Sequence, residues 1–182
     1  PPALQRFLSV YDDLLPAGIK PRSILNGIDV MRFRPCRRRF EEVRAALGLE
    51  TDHFVLLFCG RLDALKQPMM ALRLFSELYR TMPNARLLVI GEGSEMTGMK
   101  AFVARNGLSN AVSFLGYRSD VAALYASCNG YLCTSLSEGF SLTTGEALAS
   151  GVPAIVPSDE VFKTVYAECP AVSLCRLDAS DE

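Results

Sequence analysis

The residues that decide the fold run from Thr134 to Gly151: T-S-L-S-E-G-F-S-L-T-T-G-E-A-L-A-S-G. An apolar run, Gly130-Tyr131-Leu132-Cys133, precedes them and reads as a buried strand. A loop follows, and then a short helix from about Ser141 to Ser150. The junction at Glu138, Gly139, Phe140 and Ser141 offers unpaired backbone N–H groups at the positive end of the helix dipole, a natural seat for a phosphate. Glu138 lies in the loop, and Glu146 lies eight residues later in the helix. Each carboxylate presents two acceptor oxygens that can hold a pair of sugar hydroxyls. A phosphate seat flanked by two such acids suits a sugar nucleotide.

Outward from this stretch, strands and helices alternate. Phe54–Cys59, Leu87–Ile90, Val112–Leu115, Gly130–Cys133, Ala154–Val156 and Ala171–Cys175 are apolar runs of strand length. Helical spacing predicts helices ending at Leu47 before Gly48, then over residues 67–82, Met96–Arg105, Asp120–Ser127 with Ser119 as N-cap, and Asp159–Ala167. The Met and aromatic stripe of residues 67–82 reads as core. Upstream, residues 3–15 can form an amphipathic helix, and Arg22–Leu25 reads as a short strand ending at the Asn26-Gly27 turn. Continuous rather than alternating apolar strands imply the α/β class: a Rossmann-like parallel sheet with helices on both faces. Ligands of such sheets bind beyond the carboxyl ends of the strands.

The loops at those ends carry the remaining candidates. After Cys59 comes Gly60-Arg61-Leu62-Asp63-Ala64-Leu65-Lys66. Glycine admits close backbone approach, Arg61 can fork onto a phosphate, and Lys66 adds a compact cation. One arginine, one lysine and a helix N-terminus hold a diphosphate without a metal ion. Gly91-Glu92-Gly93 begins like a dinucleotide fingerprint, but Met96 takes the third glycine's place, so the turn reads better as one that lets a ligand lie close to the backbone. Gly116-Tyr117-Arg118-Ser119 can line a base pocket through backbone groups and Arg118.

Composition removes other classes. A formal net charge of −1 argues against a nucleic-acid partner. No run approaches the roughly 18 apolar residues of a membrane span. The six cysteines form no C-x-x-C pair, and Cys59, Cys128, Cys133 and Cys175 sit in or beside apolar runs, as free, buried thiols of a reducing, cytoplasmic compartment do. With His53 the only histidine and no ligand spacing, no metal site and no metal cofactor are expected. Arg32, Arg34, Arg37, Arg38 and Arg39 read either as a solvated face or as a contact for an anionic acceptor, a lipid-linked one included, or for the inner face of a membrane.

The order S-I-L-N-G-I-D, C-G-R-L-D-A-L-K, L-L-V-I-G-E-G, V-S-F-L-G-Y and S-E-G-F-S-L-T-T-G-E-A-L-A-S-G-V-P resembles the carboxyl-terminal half of group 1 (family 4) retaining glycosyltransferases, which have the two-domain GT-B fold. The resemblance covers about residues 20–157. It implies that Arg61 and Lys66 bind the donor's diphosphate, that Glu138 and Glu146 are the acids of an E-x7-E motif facing the donor sugar and the ribose, and that the amides of Gly139, Phe140 and Ser141 cover the phosphates. It places Asn26-Gly27 at an interdomain hinge. By the same token residues 1–19 read as a remnant of an amino-terminal, acceptor-binding domain, and residues 20–182 as a donor domain truncated at its end. The expected function is transfer of a hexose from a UDP- or GDP-sugar in polysaccharide or glycoconjugate synthesis, with the isolated chain inactive. A sugar-nucleotide 2-epimerase and a non-catalytic binding module remain as alternatives. Four features depart from the family pattern: Gly145 inside the helix, Asn129 for an aspartate, Cys133-Thr134 for a proline, and Ser158-Asp159-Glu160 for a glycine-rich loop.

Overall fold

A computed structural model describes Pro16, Lys20–Arg22, Ile24 and Asn26–Leu177. The helix expected over residues 3–15 lies outside the described residues. Among the described residues six helices and six strands alternate: α1 (Arg37–Ala46), β1 (Phe54–Cys59), α2 (Pro68–Thr81), β2 (Ala85–Ile90), α3 (Met96–Arg105), β3 (Val112–Gly116), α4 (Val121–Tyr125), β4 (Gly130–Leu132), α5 (Leu142–Ala149), β5 (Ala154–Pro157), α6 (Glu160–Val165) and β6 (Val172–Cys175). The strands form one parallel sheet in the order β3-β2-β1-β4-β5-β6. The order reverses between β1 and β4, so the crevice outside their carboxyl ends is the topological switch point where ligands of such sheets bind.

The pleat sorts the core into two layers. Val55 and Leu57 of β1 face a cluster with Tyr125 of α4, Ala147 of α5 and Phe162 of α6. Leu56 and Phe58 face the other side, where Ala71, Leu72 and Phe75 of α2 pack beside Met99 and Val103 of α3. Helices on both faces are therefore what buries β1, as its unbroken apolar run requires.

Three expectations need correction. Arg22 and Ile24 belong to no strand, and Ile24 is 89% exposed, because no neighbouring strand offers them its backbone. Helix α4 is shorter than expected, and its N-cap residue is Asp120, not Ser119. The Asp120 carboxylate makes no cap bond because Arg118 forks onto it, with Nε and Nη2 at 2.8 and 2.6 Å. At the other end the Ser127 hydroxyl and Cys128 thiol both bond back to the Leu124 carbonyl, competing with helix continuation. The four apolar-run thiols also divide: Cys128 and Cys133 are buried, Cys59 and Cys175 only partly so, and all six cysteines are free.

Glycines separate by what surrounds them. Gly98 lies exposed inside α3 with nothing within 4 Å of the place a Cβ would take. Gly98→Ala should therefore raise stability by about 0.5–1 kcal/mol, read as a higher urea midpoint; a lower midpoint would refute it. Gly145, inside α5, differs. A Cβ there would stand 2.8 Å from the Ile28 side chain, so this departure from the family pattern makes room for the segment that crosses the helix.

Two polar groups anchor the amino end of the sheet. Arg44 is 4% exposed, stacks over Phe40, and donates to the carbonyls of Glu50 and His53 and to Asn129 Oδ1. The same Asn129 oxygen accepts from the Val55 amide at 2.8 Å, tying the start of β1 to that of β4. The neutral amide here thus has a structural partner set of its own.

Candidate active site

The loops after β1 and β4 meet at the switch point. The Thr134 hydroxyl is shared between the carbonyls of Lys66 and Gln67, both at 2.9 Å. The Leu136 amide donates to the Leu65 carbonyl at 2.8 Å. Lys66 Nζ then reaches Glu138 Oε1 at 2.5 Å, with side chains 22% and 10% exposed. These three links clamp residues that are 67 to 72 positions apart in sequence. Thr134 thus supplies a hydroxyl clamp, a role nothing in the sequence singled out.

Both loops bend sharply as they enter their helices. Gln67 (φ 46°) and Ser141 (φ 60°) are the two non-glycine residues with left-handed backbone among the described residues, and they are the N-caps of α2 and α5. Such conformations cost about 1 kcal/mol or more and gather at functional sites. The Ser141 hydroxyl bonds with that of Thr144 at 2.8 Å rather than capping the helix. The Tyr166 hydroxyl steadies the turn by donating to the carbonyls of Phe140 and Ser141, each at 3.2 Å. The amides of Gly139, Phe140 and Ser141 donate to no protein acceptor among the described residues, as the sequence led us to expect of the junction.

Beside this clamp lies a cleft of about 370 Å³ lined by Cys59, Gly60, Arg61, Gly91, Tyr117 and Arg118, among others. The sequence candidates Gly60, Arg61, Gly91 and Arg118 are therefore gathered in one cavity. Each of the three candidate cations holds an acid: Arg61 pairs with Asp63 at 3.2 Å, Lys66 with Glu138, and Arg118 with Asp120. An incoming anion must compete with these carboxylates.

At the glycine turn after β2, Gly91 lines the cleft, and the chain's own backbone also comes close. A Cβ on Gly91 (φ +127°) would lie 1.8 Å from the Gly60 carbonyl oxygen, and one on Gly93 would lie 2.3 Å from that of Leu62. The backbone that comes close to these glycines is the protein's own β1 loop. Bonds from the Gly60 amide to Ile90 and from the Leu62 amide to Glu92 hold it there.

Glu146, half-buried on α5, is not among the residues that line the cleft, but its charge acts on Cys59, which does. Burial lifts its carboxyl above the ordinary value, while the Tyr125 hydroxyl and the Arg32 guanidinium pull it back. Cys59, which lines the cleft, is pushed up to about 11 by burial and feels the charges of both Glu146 and Lys66. It is the point at which cleft, clamp and second acid adjoin. Arg32 also donates to the Ser119 carbonyl at 3.1 Å, so it turns toward the site. Sequence alone did not separate it from the cluster. Arg37 and Arg38 pair instead with Glu41 and Glu42 one turn on, and Arg39 donates to the Arg32 carbonyl. Glu50, Asp52 and His53 could reach one cation, but they sit at the amino end of β1, away from the cleft, and His53 Nδ1 already accepts from the Glu50 amide.

Comparison with known proteins supplies the family. The profile described as "Glycosyl transferases group 1" matches residues 39–168. The D-inositol 3-phosphate glycosyltransferase of Mycobacterium bovis is 37% identical over 136 residues, covering 71% of this chain and 27% of its own length. The alpha-monoglucosyldiacylglycerol synthase of Acholeplasma laidlawii is 30% identical over 144 residues, covering 76% of this chain and 36% of its own. The chain thus spans about a third of the length of these curated relatives. Among solved structures, Anabaena Alr3699/HepE in complex with UDP and glucose superposes with a TM-score of 0.77 at 23% identity, over 85% of this chain and 43% of that one. That likeness shows that the two chains share the fold of the sheet and its helices. Profile and relatives agree, and the chain belongs to the group 1 glycosyl transferases.

Proposed function

We propose that this chain is the donor-binding part of a retaining hexosyltransferase and takes a UDP- or GDP-linked sugar at the β1/β4 switch point. Arg61 and Lys66 meet the diphosphate, together with the amides of Gly139, Phe140 and Ser141. Glu146 accepts from the ribose hydroxyls, and Glu138 faces the transferred sugar. Gly60, Gly91 and Arg118 border the base. The observation that carries this reading is the contact between Lys66 and Glu138 across the crevice, a phosphate-binding cation and a sugar-facing acid brought to one point. Most of the length of the curated relatives lies outside the matched residues.

Charge supports the same assignment. A diphosphate facing one arginine, one lysine and three free amides is balanced by hydrogen bonds to ionised groups and by the helix dipole, without a divalent cation. UDP, which the Anabaena neighbour holds, is the first nucleotide to try, and GDP the second. Either should raise the melting temperature of the chain increasingly with concentration, in EDTA as well as without it. Arg61→Ala and Glu146→Ala should each diminish that rise. No rise with either nucleotide at millimolar concentration, alongside a rise with NAD or ATP, would overturn the proposal.

Exposed Val30 and Met31 beside Arg34 form an apolar tip with a basic flank, which fits an anionic membrane surface or a lipid-linked acceptor. Arg37 and Arg38 strengthen that surface less than their number suggests, since Glu41 and Glu42 offset them.

A further inference from the structure

Among the described residues three buried side-chain polar atoms make no hydrogen bond of normal geometry, Arg44 Nε, Ser150 Oγ and the Tyr125 hydroxyl, and of these the Tyr125 hydroxyl adjoins the cleft. The Tyr125 side chain is fully buried in α4. The ring is held edge-on to Phe33 at 5.9 Å and tilted against Tyr131 at 5.8 Å, so the hydroxyl points where the packing sends it. Neighbouring Tyr131 shows the usual solution, donating to Thr143 Oγ1 at 2.8 Å. A phenylalanine at 125 would keep the packing and avoid the cost of a buried hydroxyl without an acceptor.

What surrounds that hydroxyl is the donor site. Val121, one turn earlier on α4, lines the cleft, and so does Cys59. The Tyr125 hydroxyl is close enough to the Cys59 thiol and the Glu146 carboxylate to act on both, but makes a bond of normal length and angle with neither. Burial keeps both phenol and thiol protonated at neutral pH, so each has a hydrogen to give. Of the neighbours of the phenol, Glu146 is the anionic acceptor.

We infer that Tyr125 is a positioning residue for Glu146: its hydroxyl donates to one carboxylate oxygen when the acid grips the nucleotide, leaving the other oxygen for the ligand's hydroxyls. In the ligand-free chain that hydroxyl already acts on Glu146 without a bond of normal geometry, and it is the donor held ready for that state. This inference rests on the donor-site reading above. Arg32, from the segment that crosses α5, is the other charged group acting on Glu146, and its guanidinium is already engaged with the Ser119 carbonyl.

Tyr125→Phe tests it, because structure and positioning predict opposite results. Removing an unpartnered buried hydroxyl should leave the melting temperature unchanged or raise it, while UDP binding, measured by calorimetry, should weaken about ten-fold. The pH profile adds a second readout. Glu146 must be ionised to accept from hydroxyls, so affinity falls as pH drops through its raised value. Without the downward pull of Tyr125 that fall should begin at a higher pH. In a Glu146→Gln background, Tyr125→Phe should change UDP affinity little, and the acid limb should vanish. Unchanged affinity in Tyr125→Phe, or a matched loss of stability and binding that persists in the Glu146→Gln background, would overturn the inference. If the unaltered chain binds neither UDP nor GDP, the donor reading itself fails and takes this inference with it. If it binds GDP alone, the same comparisons are made with GDP.

Discussion

Gly91→Val should leave the chain largely unfolded, and Gly91→Ala should cost at least about 4 kcal/mol. Two independent effects coincide there. The backbone sits at φ +127°, a region essentially closed to residues with a Cβ. The Cβ would also fall 1.8 Å from the Gly60 carbonyl oxygen and 2.9 Å from its carbon. Both atoms are backbone, so no side chain can rotate aside. Moving the β1 loop would break the bond from the Gly60 amide to Ile90 at 3.0 Å, and moving β2 would break that from the Gly91 amide to Gly116 at 2.9 Å. With total stabilities of about 5–15 kcal/mol, a loss of this size empties the native state of many domains. Far-ultraviolet circular dichroism and urea titration measure it. A Gly91→Ala chain with the native urea midpoint would show that the two loops do not approach as closely as described. Gly98→Ala, in an open helical position, is the matched control with the opposite sign.

Lys66→Met should weaken UDP binding about 100-fold and also lower stability. The ammonium is the compact cation of the crevice, and a charge-assisted contact to a diphosphate is worth about 2–3 kcal/mol. Its loss also strands Glu138, whose side chain is only 10% exposed, without a cation. Removing one member of a buried pair costs about 3–5 kcal/mol. Lys66 keeps 22% exposure, so water and salt screen part of this and about 2 kcal/mol is the expected loss. The two effects separate in the double variant Lys66→Met/Glu138→Gln, which should regain stability and stay defective in UDP binding. Glu138→Gln alone should bind UDP at least as well as the unaltered chain, since the diphosphate no longer competes with a carboxylate for the lysine. Calorimetry checks the affinities and urea titration the stabilities. Unchanged UDP affinity in Lys66→Met would remove that residue from the site.

Local pattern carried much of the architecture. Phe54–Cys59 and Met96–Arg105 have the ends that their apolar run and helical spacing indicate, because burial on two faces and burial of one stripe leave distinct periods. The same logic failed at Arg22 and Ile24, which belong to no strand, and at Ser119, where a plausible cap lies one residue before Asp120. Hydrogen-bond competition at Arg118, Ser127 and Cys128 set the ends of α4, and propensity does not encode such competition.

At the site, residue types were legible and their partners were not. Arg61, Lys66, Glu138 and Glu146 could be nominated from carboxyl-end loops and charge. That Lys66 would grip Glu138, and that Thr134 would clasp the carbonyls of Lys66 and Gln67, could not. Gly91 was recognisable as a place of close approach, but the approaching chain is the protein's own. Gly145 looked like a defect in a helix until Ile28 was seen to occupy its space. By itself the sequence determined the alternation of elements, the buried character of the strands and the chemistry available in each loop, because these depend on neighbours a few residues away. Tertiary structure alone decided which loops face each other. The strand order puts β1 beside β4, and contacts across 72 residues form only once that sheet has assembled.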